Sequence, residues 1–251
     1  MARVDEAMEK IVILSFDVER DCPPYLDTSE GVERGLPRIL GLLEEEKVRA
    51  TFFTTGYIAE RFPGLVRRIV DLGHELGAHG YRHERFDKIG LDEAERVLSK
   101  ATRVLREFYD VVSFRAPNLQ LPEPYVKLLR KLGYYADSST AIYKPPFRRG
   151  IEVFEEGVVR VPASITSSVL RLPWRLQRII HKRLPWPTVY FSHPWEYIDM
   201  RGKPVRYDCR FGTGVPALNN LKKLIRFHRE RGAVFMTVKG FAERILANRT
   251  A

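Results

Sequence analysis

The stretch ATFFTTGYIAERFPGLVRRIVDLGHELGAHGYRH, residues 50–83, holds one complete strand–helix–strand unit. Ala50–Thr55 is a short run of aromatic and β-branched residues, the composition of a buried strand. From about Ile58 to Leu72 apolar residues recur at helical spacing among charged ones. His74–Ala78 is a second strand, and two strands joined through a helix lie parallel.

The same alternation continues on both sides. Upstream, the β-branched run Ile11–Phe16 predicts a strand ending in Asp17, and a helical pattern follows from about Val32 to Glu46. Downstream, helices are expected over Leu91–Tyr109, Glu123–Leu132 and Val215–Arg231, with a last one from Phe241. Strands are expected at Ser113–Ala116, Tyr134–Ser138, Thr188–Ser192 and Ala233–Val238. Repeated strand–helix units predict an α/β fold: a distorted (β/α) barrel of about seven strands, complete or incomplete, with an open doubly wound sheet as the alternative. No second domain and no internal repeat is visible, so residues 1–251 are read as one domain.

A chain of 251 residues with 44% hydrophobic content can bury one substantial core. A formal net charge of +10 favours anionic partners. No nucleic-acid motif accompanies it, so nucleic acid is not an expected partner. The two cysteines, Cys22 and Cys209, form no CxxC pair; two free thiols in a reducing compartment are expected, with one long-range disulfide as the alternative. The N-terminus MARVDEAMEK lacks the apolar core of a signal peptide, and no apolar run approaches the roughly 20 residues needed to span a bilayer. A cytoplasmic location is the expectation.

Ionisable residues gather at the C-terminal ends of the expected strands, the edge where barrels collect their chemistry: Asp17 and Glu19, His79 and His83, Arg115, Asp137 and His193. Two imidazoles at i and i+4 converge on one ion if the segment turns, and Gly80 supplies a turn. A divalent ion on two histidines normally adds a carboxylate and keeps one position open. Asp17 and Glu19, two apart on a strand, share a side while Val18 faces away. One of the two can bind the ion while the other accepts a proton from the attacking water. His74 is expected to pack structurally, and His181 and His228 are background.

Residues 50–83, and weaker matches from residue 11 to about 195, resemble the polysaccharide deacetylases, the NodB-homology or carbohydrate esterase family 4 domain. Their pattern is a strand, a helix, then G-H-E-[IL]-G-x-H-[ST]-x-x-H. The resemblance implies a metal-dependent hydrolase that removes N-acetyl groups from a sugar. It makes Asp17, in SFDVE, the catalytic base; His79 and His83 metal ligands; and Arg115, in FRAPN, the group holding the base. It also makes Asp137, in YADSS, the acidic residue tuning the acid, and His193, in FSHPWE, the general acid. Tyr81, Asn118 and Trp195, which flank these motifs, are the expected substrate contacts.

Three departures stand out. Val18 replaces the usual metal-binding Asp, so Glu19 is the expected third ligand. Gly80 replaces a Ser or Thr, and Asn118 replaces a common Tyr. The D-x-[DE] arrangement resembles the branch containing allantoinase-like amidohydrolases and some peptidoglycan deacetylases, so hydrolysis of a small cyclic amide or ureide is the alternative reaction. A catalytically dead glycan-binding module and a purely charge-driven anion-binding protein complete the alternatives. The expected cofactor is one divalent ion, zinc before cobalt, nickel or iron.

One further segment is unusual. Between Gly157 and Trp195 there is no Asp or Glu. Arg171, Arg175, Arg178 and Lys182 are spaced for one helical face, Leu172, Leu176, Ile179 and Ile180 for another, with Trp174 and Trp186 flanking. A barrel helix with a basic edge is the plain expectation. A peripheral membrane contact through 170–187, or a lid receiving an anionic or lipid-linked sugar, is the sharper one.

Overall fold

The computed structural model describes residues 9–145, 147 and 150–250; the charged stretch of residues 1–8 lies outside the described residues. Its centre is a curled, mostly parallel sheet. The first strand, β1 (Ile11–Val18), is buried along its whole length. On one edge it pairs with β2 (Thr51–Thr54) over Ser15–Val18, and on the other with β8 (Thr188–Ser192) over Val12–Phe16. From β2 the sheet continues through β3 (Glu75–Ala78), β4 (Ser113–Phe114), β5 (Ala136–Asp137) and β7 (Val159–Arg160), all parallel. An antiparallel strand, β6 (Glu152–Val153), is added outside β7. The short β9 (Val234–Met236) pairs with Ile11–Ile13 of β1.

Six of the seven expected strands lie in the curled sheet, which β7 extends; the seventh, β9, pairs among the described residues only with β1, and the ring is incomplete. Beyond β7 the chain is hydrogen-bonded to β8 at Ser164, whose backbone N–H donates to Val189 O at 2.8 Å and whose hydroxyl accepts from Val189 N–H at 2.9 Å. The hairpin of β6 and β7 was not legible, because strands of two residues carry no periodicity.

Alternation along β1 separates two cores. Val12, Leu14, Phe16 and Val18 pack outward against α1 (Leu36–Glu45) and α8 (Val215–Glu230). Ile11 and Ile13 face the other way and meet Phe53, Ala136, Val159, Val189 and Phe241 inside the curl. A third cluster lies under α2 (Gly56–Arg61), α3 (Pro63–Asp71), α4 (Leu91–Arg106) and α5 (Tyr125–Lys131). The single helix expected over 58–72 is two, since Pro63 has no N–H to continue the first and opens the second. The last helix, α9 (Val238–Thr250), begins three residues earlier than expected. Its first N–H groups are met inside the barrel: Val238 N–H donates to Thr51 Oγ1, and Lys239 N–H to Glu75 Oε2, each at 2.9 Å.

The basic segment departs from its expected pattern. Arg171 ends a 3-10 turn (Ser167–Arg171) and is buried, so it is not part of the basic face of α6 (Trp174–His181). Leu176 and Ile179 do not line a buried face; each is 51% exposed, and Ile179 sits among Arg175, Arg178 and Lys182. Gln177 and His181 are the buried side of this helix. Among the described residues no helix is long and apolar enough to cross a membrane.

Candidate active site

The C-terminal ends of β1, β3, β4 and β8 converge on one point. Asp17 and Glu19 point from β1 to the same side, both 3% exposed, while Val18 joins the opposite core. His79 leaves β3 directly. Gly80 follows with φ +74°, and a Cβ there would lie 2.9 Å from Glu84 Oε2. His83 itself has φ +76°, a left-handed conformation that turns its ring back toward His79. The two rings lie 5.5 Å apart, edge to face.

Glu19 Oε2 is 2.8 Å from His83 Nε2 and 3.3 Å from His79 Nε2. One ligand atom from each of the three residues lies within 4.8 Å of the others. Glu19 Oε2 is buried and lacks a partner of hydrogen-bond geometry, although both imidazole nitrogens point at it. His79 Nδ1 donates to Arg115 O at 2.7 Å, which fixes its proton there and leaves the Nε2 lone pair facing Glu19. A carboxylate and two neutral imidazoles aimed at one buried point are the donor set of a divalent ion, and the residues fit one. Burial would raise the Glu19 carboxyl, but the close approach of His83 first, and of His79, holds it well below the usual range.

Asp17 is gripped from behind. Arg115 is fully buried and donates through Nη1 to Asp17 Oδ1 at 2.7 Å. Its Nη2 and Nε are fixed by Ser138 Oγ (2.8 Å) and Ser138 O (3.2 Å), and its guanidinium lies 4.3 Å over the Phe53 ring. With both ends of the guanidinium anchored, Asp17 is held in one direction.

His193 leaves β8 on the opposite side. Its Nε2 is 3.9 Å from Asp17 Oδ2 and 3.7 Å from Glu19 Oε1. Its Nδ1 is held at 2.8 Å by Glu196 Oε1, which also accepts from the His193 backbone N–H at 3.0 Å. Glu196 Oε2 pairs with Arg171 Nε at 2.6 Å. Burial opposes charge on His193, but the Glu196 hydrogen bond and the nearby Glu19 and Asp17 carboxylates outweigh it and hold the imidazole up at about 9. The segment is pressed into place by Gly35, where a Cβ would lie 2.0 Å from Pro194 O.

Three expected roles need correction. Asp137 does not tune His193: its two oxygens are taken by Arg160 of β7 and by Ser139. Glu196 holds that place, three residues along the chain, and the H-P-W-E spacing at the start of a helical turn was its available signal. Arg171 had none. Trp195 is 5% exposed and stacks on His193 at 5.1 Å, so it supports the imidazole rather than receiving a sugar. Tyr81 turns away from the centre: its hydroxyl donates to Glu60 at 2.7 Å and its ring carries the Lys100 ammonium at 3.6 Å. Asn118 stays at the rim, exposed, with φ +60° and its carbonyl accepting from Lys144 at 2.8 Å. His74, His181 and His228 are buried structural groups, as expected; Tyr190 bridges the last two.

Comparison with known proteins agrees with this geometry. The family profile described as "Polysaccharide deacetylase" matches residues 5–136. A peptidoglycan deacetylase from Helicobacter pylori is 34% identical over 118 residues, 45% of this chain and 40% of that protein. A peptidoglycan-N-acetylglucosamine deacetylase from Bacillus cereus is 37% identical over 93 residues, 37% of this chain and 32% of that protein. The chain thus spans two fifths or less of the length of these two relatives. The crystal structure of a candidate polysaccharide deacetylase from Mycobacterium smegmatis superposes with a TM-score of 0.75 at 20% identity, covering 99% of this chain and 94% of that one, a likeness of fold. Because the profile covers more than half of the sequence, and the histidine pair it spans converges with Glu19 at one strand edge, the chain belongs to the polysaccharide deacetylase family.

Proposed function

We propose that this chain is a metal-dependent N-deacetylase that hydrolyses the acetamide of an N-acetylated sugar. The observation that carries the reading is the convergence of Glu19 Oε2, His79 Nε2 and His83 Nε2 beside the Arg115-bound carboxylate of Asp17. A divalent ion held there, with zinc the best match to two imidazoles and a carboxylate, supplies Lewis acidity to the carbonyl and to water.

The chain's own groups do the rest. Asp17 accepts the proton of the attacking water. Arg115 orients that carboxylate. An amine cannot leave as an anion, so His193 donates a proton through Nε2, the nitrogen facing the two carboxylates. Glu196 orients that ring by taking Nδ1–H, and Arg171 holds Glu196 in turn. Asn118 at the rim is positioned to meet the sugar.

The named relatives act on peptidoglycan, and a glycan N-acetyl group is the substrate class we assign here. A cationic, acid-free segment with exposed Leu176 and Ile179 supports an anionic or lipid-linked glycan and a peripheral membrane contact through α6. Sedimentation with anionic vesicles, unaffected by reversing Arg175, Arg178 and Lys182, would rule that contact out.

Acetate release from N-acetylglucosamine oligomers and muropeptides tests the main reading. Zinc-loaded protein should release acetate and leave a free amine, and Asp17→Asn should not. Binding without release, or turnover of a cyclic ureide alone, would replace this assignment.

A further inference from the structure

The chain's only two cysteines come from opposite ends of the sequence and meet beside the active site. Cys22 lies in the turn leaving β1, three residues after Glu19, with φ +45° and 3% exposure. Cys209 lies in the short helix α7 (Tyr207–Arg210) and is half-buried. Cys209 packs against the cluster in which Cys22 is buried. Both sit in an apolar pocket with Trp195, Ile198, Met200 and Val205. Trp195 stacks on His193, so the pair lies one ring behind the imidazole.

We propose that Cys22 and Cys209 are a disulfide site, joining the loop after β1 to the 199–211 segment on the far side of His193. The two thiols differ in reactivity. Cys209 is the accessible one, and the contact from Cys22, with Arg171 and Arg206 nearby, favours its thiolate. Cys22 is shielded, and its contact with Cys209 followed by burial disfavours its thiolate.

The oxidant required is a small-molecule disulfide. The Cys209 thiolate attacks one of its sulfurs, breaking the S–S bond and expelling one small thiol. Cys22 then loses its proton and attacks the Cys209 sulfur of the mixed disulfide, expelling the second. Two protein thiols are oxidised and one reagent disulfide is reduced to two thiols. The product closes a loop containing most of the chain, which restricts the unfolded state and raises the melting temperature.

The experiment uses the purified protein with oxidised glutathione, against a dithiothreitol control. Non-reducing peptide mapping should show one Cys22–Cys209 cross-link, no thiol titratable after denaturation, and a higher melting temperature than the reduced form. Cys22→Ser should stop at a single glutathione adduct on Cys209. Two thiols still titratable in denaturant, two separate glutathione adducts, or intermolecular dimers would overturn the proposal. None of these readouts depends on the hydrolytic activity.

Discussion

Replacing Glu196 with glutamine tests how the acid is held. The carboxylate is 1% exposed; it accepts from His193 Nδ1 at 2.8 Å and the His193 backbone N–H at 3.0 Å, and it is ion-paired with Arg171, whose Nε lies 2.6 Å from Oε2. Glutamine keeps the shape but has one accepting end. If its oxygen faces Arg171, its NH2 faces Nδ1, which must then carry a lone pair, and the imidazolium needed for proton donation is disfavoured. If its NH2 faces Arg171, two donors collide. In either case Arg171, itself 5% exposed, loses its counter-charge, at a cost of about 3–5 kcal/mol for a broken buried pair. General acid catalysis contributes roughly 10²–10⁴-fold, so kcat should fall by at least about 10²-fold. KM should change little, because Glu196 is buried away from the opening. The double variant Arg171→Met/Glu196→Gln removes both charges and should recover most of the stability while kcat stays low. Urea unfolding and steady-state acetate release on all three variants separate the two effects. Near wild-type kcat in Glu196→Gln, or kcat returning with stability in the double variant, would refute the reasoning.

Other expectations follow from the same contacts. Asp137→Asn should lower stability by removing the main counter-charge of buried Arg160 while leaving in place the alkaline limb of the kcat profile, where His193 loses its proton; a shift of that limb would return Asp137 to the acid. Burial depresses His74 and His181 to about 4 and His228 to about 3. Folding therefore keeps them neutral, and their contribution is complete above the unfolded value near 6.5 and is lost as pH falls toward those values. Each should steepen the loss by about 1.4 kcal/mol per pH unit in that window. Urea midpoints of His228→Gln between pH 6.5 and 4 should show a shallower slope; parallel curves would contradict this. Arg115→Met should both destabilise the fold, by about 3–5 kcal/mol, and abolish acetate release, since Asp17 is left buried without its partner. A folded, active Arg115→Met protein would remove Arg115 from the site.

Much of the centre was legible in the sequence because strand periodicity is local. Asp17, Val18 and Glu19 could be sorted to two faces from their spacing alone, and the structure places them so. His79 and His83 were legible because Gly80 announces the turn that brings them together. Asp137 was misread because strand order does not reveal side-chain partners: one oxygen goes to Ser139 and the other to Arg160, on a two-residue strand without a sequence signature. Arg171 lies 25 residues from Glu196 and looked like one more basic residue of α6. Leu176 and Ile179 obeyed helical spacing yet face outward, since periodicity defines a stripe without saying what covers it.

Metal content reads the central claim most directly. Purified protein, analysed by elemental mass spectrometry after equilibration with zinc and desalting, should carry one divalent ion per chain. Glu19→Ala and His79→Ala should carry almost none while keeping a native circular dichroism spectrum. Full occupancy in folded Glu19→Ala would show that the ion is held by a different set of residues, and the site described here would be wrong.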